Sequence, residues 1–148
     1  MIQIAQVIND KRGGFQFLKN FETDVKGKSV LCSGVAVGAC MGHNVVCAFL
    51  DNYCSILKIR KDGQDQIELS RVTDFKADFS QDGSVNCAVV LPSGHIVTGG
   101  DDGVCRLWAV GYNKLKSPTW QVKLLNEMKG HTASIMAVSF HPNDALVS

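Results

Sequence analysis

Gly99-Gly100-Asp101-Asp102-Gly103-Val104-Cys105-Arg106-Leu107-Trp108, with Gly130-His131 further along, joins a tight Asp-Gly turn to a strand that ends in Trp. Glycine tolerates the positive φ such a turn demands, and Asp can hydrogen-bond its own backbone. The stretch therefore predicts a hairpin, with one strand over 96–99 and the next over 104–110. Working outward, a preceding strand fits 85–90, before the turn residues Pro92-Ser93-Gly94. A fourth fits 120–125, reached through Gly111, Asn113, Ser117 and Pro118.

The pattern recurs. Asp51-Asn52, followed by Cys54, Ile56, Leu57 and Ile59, stands 50 positions before Asp101-Asp102, followed by Val104, Leu107 and Trp108. Ser84-Val85 leading to Leu91-Pro92 stands 50 positions before Ser134-Ile135 leading to His141-Pro142. A period near 40 to 50 residues with several short strands per unit is the mark of a β-propeller, in which each blade is one four-stranded sheet. An earlier, more divergent blade takes strands over 31–37, 45–49, 55–60 and 67–71. Strands over 2–8 and 15–20 end a blade before that, joined through Asn9-Asp10-Lys11-Arg12-Gly13-Gly14. A strand over 135–140 and a shorter one over 145–148 begin another. The expected organisation is an all-β, incomplete propeller: 1–21 ending one blade, 29–75 a divergent blade, 84–126 a well-preserved blade, and 130–148 the start of the next. That is about three blades of an expected seven, so the chain reads as a piece of a longer one.

Bulk properties narrow the function classes. The 148 residues are 45% hydrophobic and 20% charged, inside the globular range. A net charge of +1 gives no basic footprint for phosphate neutralisation, so nucleic acid is not an expected partner. The longest weakly polar run, 30–41, is well short of the roughly 20 apolar residues of a membrane span. No basic segment precedes an apolar core at the N-terminus, so a secretory signal is not expected and folding in the cytosol or nucleus is.

Six cysteines, at 32, 40, 47, 54, 87 and 105, include no C-x-x-C and mostly sit in apolar strand-like runs. They read as small buried hydrophobes in a reducing compartment. Cys40 and His43 have the C-x-x-H spacing of half a zinc site, without a second ligand pair at a matching distance. No metal is expected.

Other constellations read as structure. Asp102 and His131 come without a placed nucleophile or a third orienting group, so acyl-transfer chemistry is not expected. Gly27-Lys28-Ser29 ends like a phosphate-binding loop, but the glycine that G-x-x-x-x-G-K-[ST] requires is replaced by Glu22, and a solvated turn accounts for it better. His43, His95 and His141 fall at predicted turns. Arg60-Lys61-Asp62, with Asp65 and Glu68, mixes signs as a solvated hairpin does.

Val97-Thr98-Gly99-Gly100-Asp101-Asp102-Gly103, and Gly130-His131 through Phe140-His141-Pro142, resemble WD repeats over 84–148. The family's blades carry a hydrogen-bonded network of a His before the blade, a Ser or Thr on its second strand, an Asp in the turn and a Trp on its third strand. Thr98, Asp102 and Trp108 match three of these structural places. The His is missing, because the corresponding stretch is Phe79-Ser80-Gln81-Asp82-Gly83, whereas His131 opens the last blade. One divergent branch resembles the whole chain: the ER-anchored exchange factors for the small GTPase of COPII coats. The features are Thr73-Asp74-Phe75 to Asp78-Phe79-Ser80, then Val85-Asn86-Cys87, the Thr-Gly-Gly-Asp-Asp-Gly turn, Arg106-Leu107-Trp108 and the degenerate Asp51-Asn52-Tyr53-Cys54 turn.

That resemblance implies guanine-nucleotide exchange on the COPII small GTPase at the cytosolic face of the endoplasmic reticulum, with no covalent catalysis. The branch's potassium-binding, glycine-rich loop corresponds to a position upstream of Met1, and Gly13-Gly14 is too short to replace it. Its membrane anchor has no counterpart in these residues. The resemblance therefore assigns this chain no catalytic residue, cofactor or metal, and implies that the chain alone is inactive. The reading from another class is a WD-repeat scaffold without exchange activity.

Overall fold

The computed structural model describes residues 2–7, 15–21, 24–25, 28–29, 34–61, 63–64, 67–113, 115, 119–141 and 146–147. They hold fourteen strands and no helix. Two four-stranded antiparallel sheets dominate. The first is β5 (Gly34–Cys40), β6 (His43–Leu50), β7 (Tyr53–Lys61) and β8 (Ile67–Lys76); the second is β9 (Val85–Val90), β10 (Ile96–Gly100), β11 (Val104–Tyr112) and β12 (Trp120–Lys129). Each sheet runs in chain order, as a blade must when short hairpins connect its strands. Three hairpins flank them: β1 (Ile2–Val7) with β2 (Phe15–Phe21), β3 (Asp24–Val25) with β4 (Lys28–Ser29), and β13 (Ser139–Phe140) with β14 (Leu146–Val147).

Local chemistry sets the corners. Met41 and Gly42 both take positive φ, 54° and 75°, the requirement of a two-residue type I′ hairpin whose twist matches its strands. Gly103 closes the longer turn of the second sheet at φ 71°. A side chain there would also press on the His131 and Ala133 carbonyls.

The sheets stack face to face. Alternation along each strand sends Cys47, Phe49, Cys54, Ile56 and Phe75 from the first sheet, and Val85, Val90, Ile96, Trp108 and Trp120 from the second, into one core. Ile56, Ile96 and Val85 are fully enclosed, and each such side chain stabilises by about 1.5–3 kcal/mol. Phe75 meets Trp108 with ring centroids 4.8 Å apart. The innermost strands β5 and β9 lie together at the would-be axis, and a Cβ at Gly38 would fall inside the Val90 side chain. A backbone bond ties the sheets at one end, from Val85 N to Asp51 O (2.8 Å), and Ala77 N, just past β8, bonds Asn52 O (2.8 Å) in the first sheet's own turn. This is an all-β architecture, part of a β-propeller.

Several strands differ from the sequence-based expectation. The first sheet is described from Gly34, and the expected strand residues 31–33 lie outside the described residues, as do the connections 8–14 and 142–145. β8 and β12 run on to Lys76 and Lys129. The strand expected over 135–140 is confined to Ser139–Phe140. Ile135 instead donates its N–H to Gly100 O (2.9 Å), as Val85 does to Asp51 O, and inserts its side chain over Gly99. The hairpin β3–β4 was not expected; it places Lys28 and Ser29 in a two-stranded ladder, while Gly27 and Glu22 are outside the described residues.

Register refines the repeat. Thr98 pairs with Arg106 and Ile96 with Trp108 across the second sheet's hairpin. Ala48 pairs with Ser55 and Val46 with Leu57 across the first. The first turn is one residue shorter, so the 50-residue offset holds before the turn and becomes 51 after it. Leu57, not Lys58, stands where Trp108 stands.

Candidate functional site

Both sheets direct the same loops to one end: the turns at 51–52 and 101–103 and the connections 77–84 and 130–135. Beneath that end, Trp108 Nε1 donates to Thr98 Oγ1 at 2.9 Å, both residues buried. The bond satisfies an indole N–H that burial would otherwise strand, at a cost of about 1–3 kcal/mol.

Asp102 belongs to a different network. Its carboxylate accepts Val104 N (3.1 Å) and Phe79 N (3.3 Å), and pairs with the Arg106 guanidinium at 2.7 Å. Arg106, itself buried, also reaches Glu127 Oε1 at 2.9 Å and Ala77 O at 3.2 Å. Lys129 first, and Arg106 with it, hold the Glu127 carboxyl below its usual range.

The place where the resemblance leaves a His unfilled is organised by Asp78. Its carboxylate is fully enclosed and accepts Ser80 N (2.9 Å), Ser80 Oγ and Asp102 N (3.1 Å). The Ser80 bonds form an Asx turn that fixes the connection, and the third ties it to the next hairpin. Asp101 clamps the start of the blade from outside, accepting Asn86 Nδ2 (2.8 Å) and Ser84 N (2.9 Å). Those bonds, Asn86's above all, with one from Ser134, keep its carboxyl below the usual carboxylate range.

Of the residues the sequence singled out, Thr98 and Trp108 are joined directly, and Asp102 sits above them with Arg106. His131 lies exposed beside Gly103, which its carbonyl approaches. Sequence reasoning missed Asp78, Arg106 and Glu127. A signal was present: Arg106 interrupts an apolar run on the Trp108 face, and a charge on that face needs partners. Asp78-Phe79-Ser80 also has the Asp-x-Ser form of an Asx turn.

The network supports an exposed aromatic. Phe79 is 50% exposed with the Arg106 guanidinium 4.5 Å from its ring centre and Lys76 Nζ 5.9 Å away. Tyr53, 48% exposed, pairs with Lys76 across the β7–β8 ladder. A shallow polar hollow beside them is lined by Asp51, Asn52 and Gln81 to Ser84.

The half zinc site takes another form. Cys40 and His43 are direct cross-strand partners, yet the Cys40 thiol is 3.1 Å from Gly94 O and His43 Nε2 is 3.0 Å from Lys58 Nζ. The described residues hold no group of three or more potential metal ligands. Cys40, Cys47, Cys54 and Cys105 are buried and in no disulfide, Cys87 is half-buried, and Cys32 lies outside the described residues. Burial pushes Cys40 up to about 11 and Cys47 up to about 12. No helix among the described residues is long and apolar enough to cross a membrane.

Comparison with known proteins gives the same repeats. The family described as WD domain, G-beta repeat matches residues 70–109 and 122–148. Guanine nucleotide-binding protein subunit beta of Schizosaccharomyces pombe is 25% identical over 95 residues, covering 64% of this chain and 25% of that protein. The chain thus spans about a quarter of the length of the curated relative it matches. The matched repeats fall on the second four-stranded sheet and the segments beside it, whose strand order is that of WD-repeat blades.

Proposed function

We propose that this chain is part of a partner-binding propeller whose loop end docks a small GTPase. The observation that carries the reading is the pair of exposed aromatics, Tyr53 and Phe79, the latter backed by a buried Arg106 that is itself held by Asp102 and Glu127. Rigid aromatic anchors lose little freedom on binding and dominate protein interfaces, and a guanidinium behind the ring fixes its pose. A G-protein partner is suggested by the matched relative, named as a subunit of a guanine nucleotide-binding protein.

The finer reading is the exchange factor of COPII budding, the branch known in animals as prolactin regulatory element-binding protein. There the propeller grips the GTPase, favours its nucleotide-free form and releases GDP. No bond is made or broken; release is accelerated by differential affinity for the empty state. On this reading the chain has no covalent catalysis and no cofactor of its own, the potassium-binding loop belongs to sequence upstream of Met1, and the protein works at the cytosolic face of the endoplasmic reticulum. The coarser reading, a WD-repeat scaffold holding proteins without exchange, rests on the same aromatics.

Release of a fluorescent GDP from the COPII small GTPase separates the two. The product of the full transcript speeds release and the 148-residue chain alone does not. Full-length protein that binds the GTPase without speeding release, or that fractionates with cytosol rather than with ER membranes, leaves only the scaffold. Acceleration by the 148-residue chain contradicts the upstream-loop assignment.

A further inference from the structure

The end of the two sheets opposite the loop end gathers the turns at 41–42 and 92–94 and the connections that follow β7 and β11. The two turns touch: Gly94 lies against Ala39 O and Met41 N, and the Cys40 thiol reaches Gly94 O. Across the seam between the sheets, His43 stands 6.0 Å from Trp120, which meets Tyr112 edge to face at 5.8 Å. From this aromatic base rises the connection between β11 and β12, braced by two hydrogen bonds. Asn113 N donates to Thr119 O (2.9 Å) and closes it, and Leu115 N donates to Asn113 Oδ1 (3.1 Å) and turns the chain within it. The result is an apolar side chain held in water: Leu115 is 94% exposed, with Met41 and Tyr112 at the same end 37% and 41% exposed.

Charge separates along the same axis. From Leu107 to Asn126 the sequence carries Lys114, Lys116 and Lys123 and no acidic residue, and Lys114 and Lys116 flank Leu115 directly. Lys58, Arg60 and Lys61 end β7 on this side, where Asp62, Asp65 and Glu68 oppose them. The loop end has the reverse balance, with Asp51, Asp78, Asp82, Asp101, Asp102 and Glu127 outnumbering Lys76, Arg106 and Lys129. A net charge of +1 thus conceals two ends of opposite sign, and the basic one is the end that presents Leu115.

We propose that the end bearing Leu115 docks on the surface of a bilayer containing anionic phospholipid. Leu115 and Met41 enter the boundary between headgroups and acyl chains, Tyr112 lies at headgroup level as interfacial aromatics do, and the lysines beside Leu115 meet lipid phosphates. Apolar insertion and basic attraction are each weak alone and hold a protein at a membrane when combined. An acidic protein surface matches the charge equally, but it must carry a pocket shaped to one projecting leucine, whereas a fluid bilayer closes around that side chain unaided. The contact lies on the membrane without crossing it. It leaves the loop end, on the opposite side, turned away from the lipid, and is independent of what that end binds.

Co-sedimentation of the purified 148-residue chain with lipid vesicles tests this. Phosphatidylcholine vesicles with about a third phosphatidylserine are expected to bind it at least tenfold better than pure phosphatidylcholine, a preference that added salt removes. The double variant Lys114→Glu, Lys116→Glu lowers that binding by about twentyfold or more, since each basic residue at an anionic surface contributes roughly fivefold. Leu115→Ser lowers binding about tenfold by removing the inserted side chain. These substitutions lie in a connection outside the sheets, so the variants keep the β-sheet circular dichroism of the wild type. Leu125→Ser, which alters another exposed leucine on the flank of β12, leaves vesicle binding unchanged. Equal binding to the two vesicle types, indifference to the lysine reversals, or a loss in Leu125→Ser as large as in Leu115→Ser overturns the proposal. Tighter binding to soluble polyglutamate than to the anionic vesicles assigns this end to an acidic protein and overturns it as well.

Discussion

The two four-stranded sheets share strand order and repeat position, yet the same places in them are filled by different physics. In the second sheet, Thr98, Arg106 and Trp108 put a hydrogen bond and a buried ion pair on the face that meets the first sheet. In the first, the register equivalents are Ala48, Ser55 and Leu57. Cross-strand, Arg106 with Glu127 in the second sheet is answered by Ser55 Oγ donating to Asp74 at 2.5 Å in the first. One blade is specified by polar groups that must be partnered, the other mainly by apolar packing. Stability and loop geometry therefore respond to different substitutions in the two sheets.

The largest effect is expected at Arg106. Arg106→Met leaves Asp102 and Glu127 without their guanidinium and removes the support of Phe79, costing about 3–5 kcal/mol by urea denaturation. Ser55→Ala, its counterpart, costs about 1 kcal/mol. Equal losses at the two positions would erase the distinction between the sheets. Trp108→Ala costs about 3–5 kcal/mol through the cavity it leaves, against about 2–3 kcal/mol for the smaller Leu57→Ala. A loss under about 1 kcal/mol at Trp108 would mean that its indole does not fill the space between the sheets.

Much of this contrast was legible in the amino-acid order, because hairpin chemistry is local. Asp101-Asp102-Gly103 announces its turn through the φ that Gly103 needs, and alternating apolar residues announce the flanking strands. What escaped depends on contacts far apart in the chain. The shift of offset from 50 to 51 comes from one residue in a turn, which periodicity averages away. Asp78 escaped because its main partner outside its own turn, the Asp102 N–H, lies on the next hairpin. The segment through Ile135 looked like a strand by composition, but its N–H is committed to Gly100 O and its side chain to Gly99.

A smaller effect sharpens the comparison through single groups. Thr98→Val removes the acceptor for the Trp108 indole while keeping shape, and costs about 1 kcal/mol in thermal or urea unfolding. No stabilising bond of that kind is lost in Ala48→Val, where any change reflects crowding.

Alkaline pH probes the apolar sheet. Cys40 and Cys47 titrate near 11 and 12 in the folded chain against an ordinary 9.0, so the native state holds protons that the unfolded state releases. Their contribution is complete below about pH 9 and is lost as pH rises toward those folded values. Cys47→Ala is therefore expected to narrow the fall in Tm between pH 8 and pH 10 relative to the wild type. An unchanged fall would show that Cys47 is not enclosed.

The packing of blade on blade is tested most directly by a nuclear Overhauser measurement between the Val90 methyl groups and the Gly38 α protons. These residues are 52 positions apart in the chain and meet only if β5 and β9 stand side by side as the innermost strands. A strong cross-peak is predicted. Its absence in a folded, fully assigned sample would contradict the stacked-blade architecture.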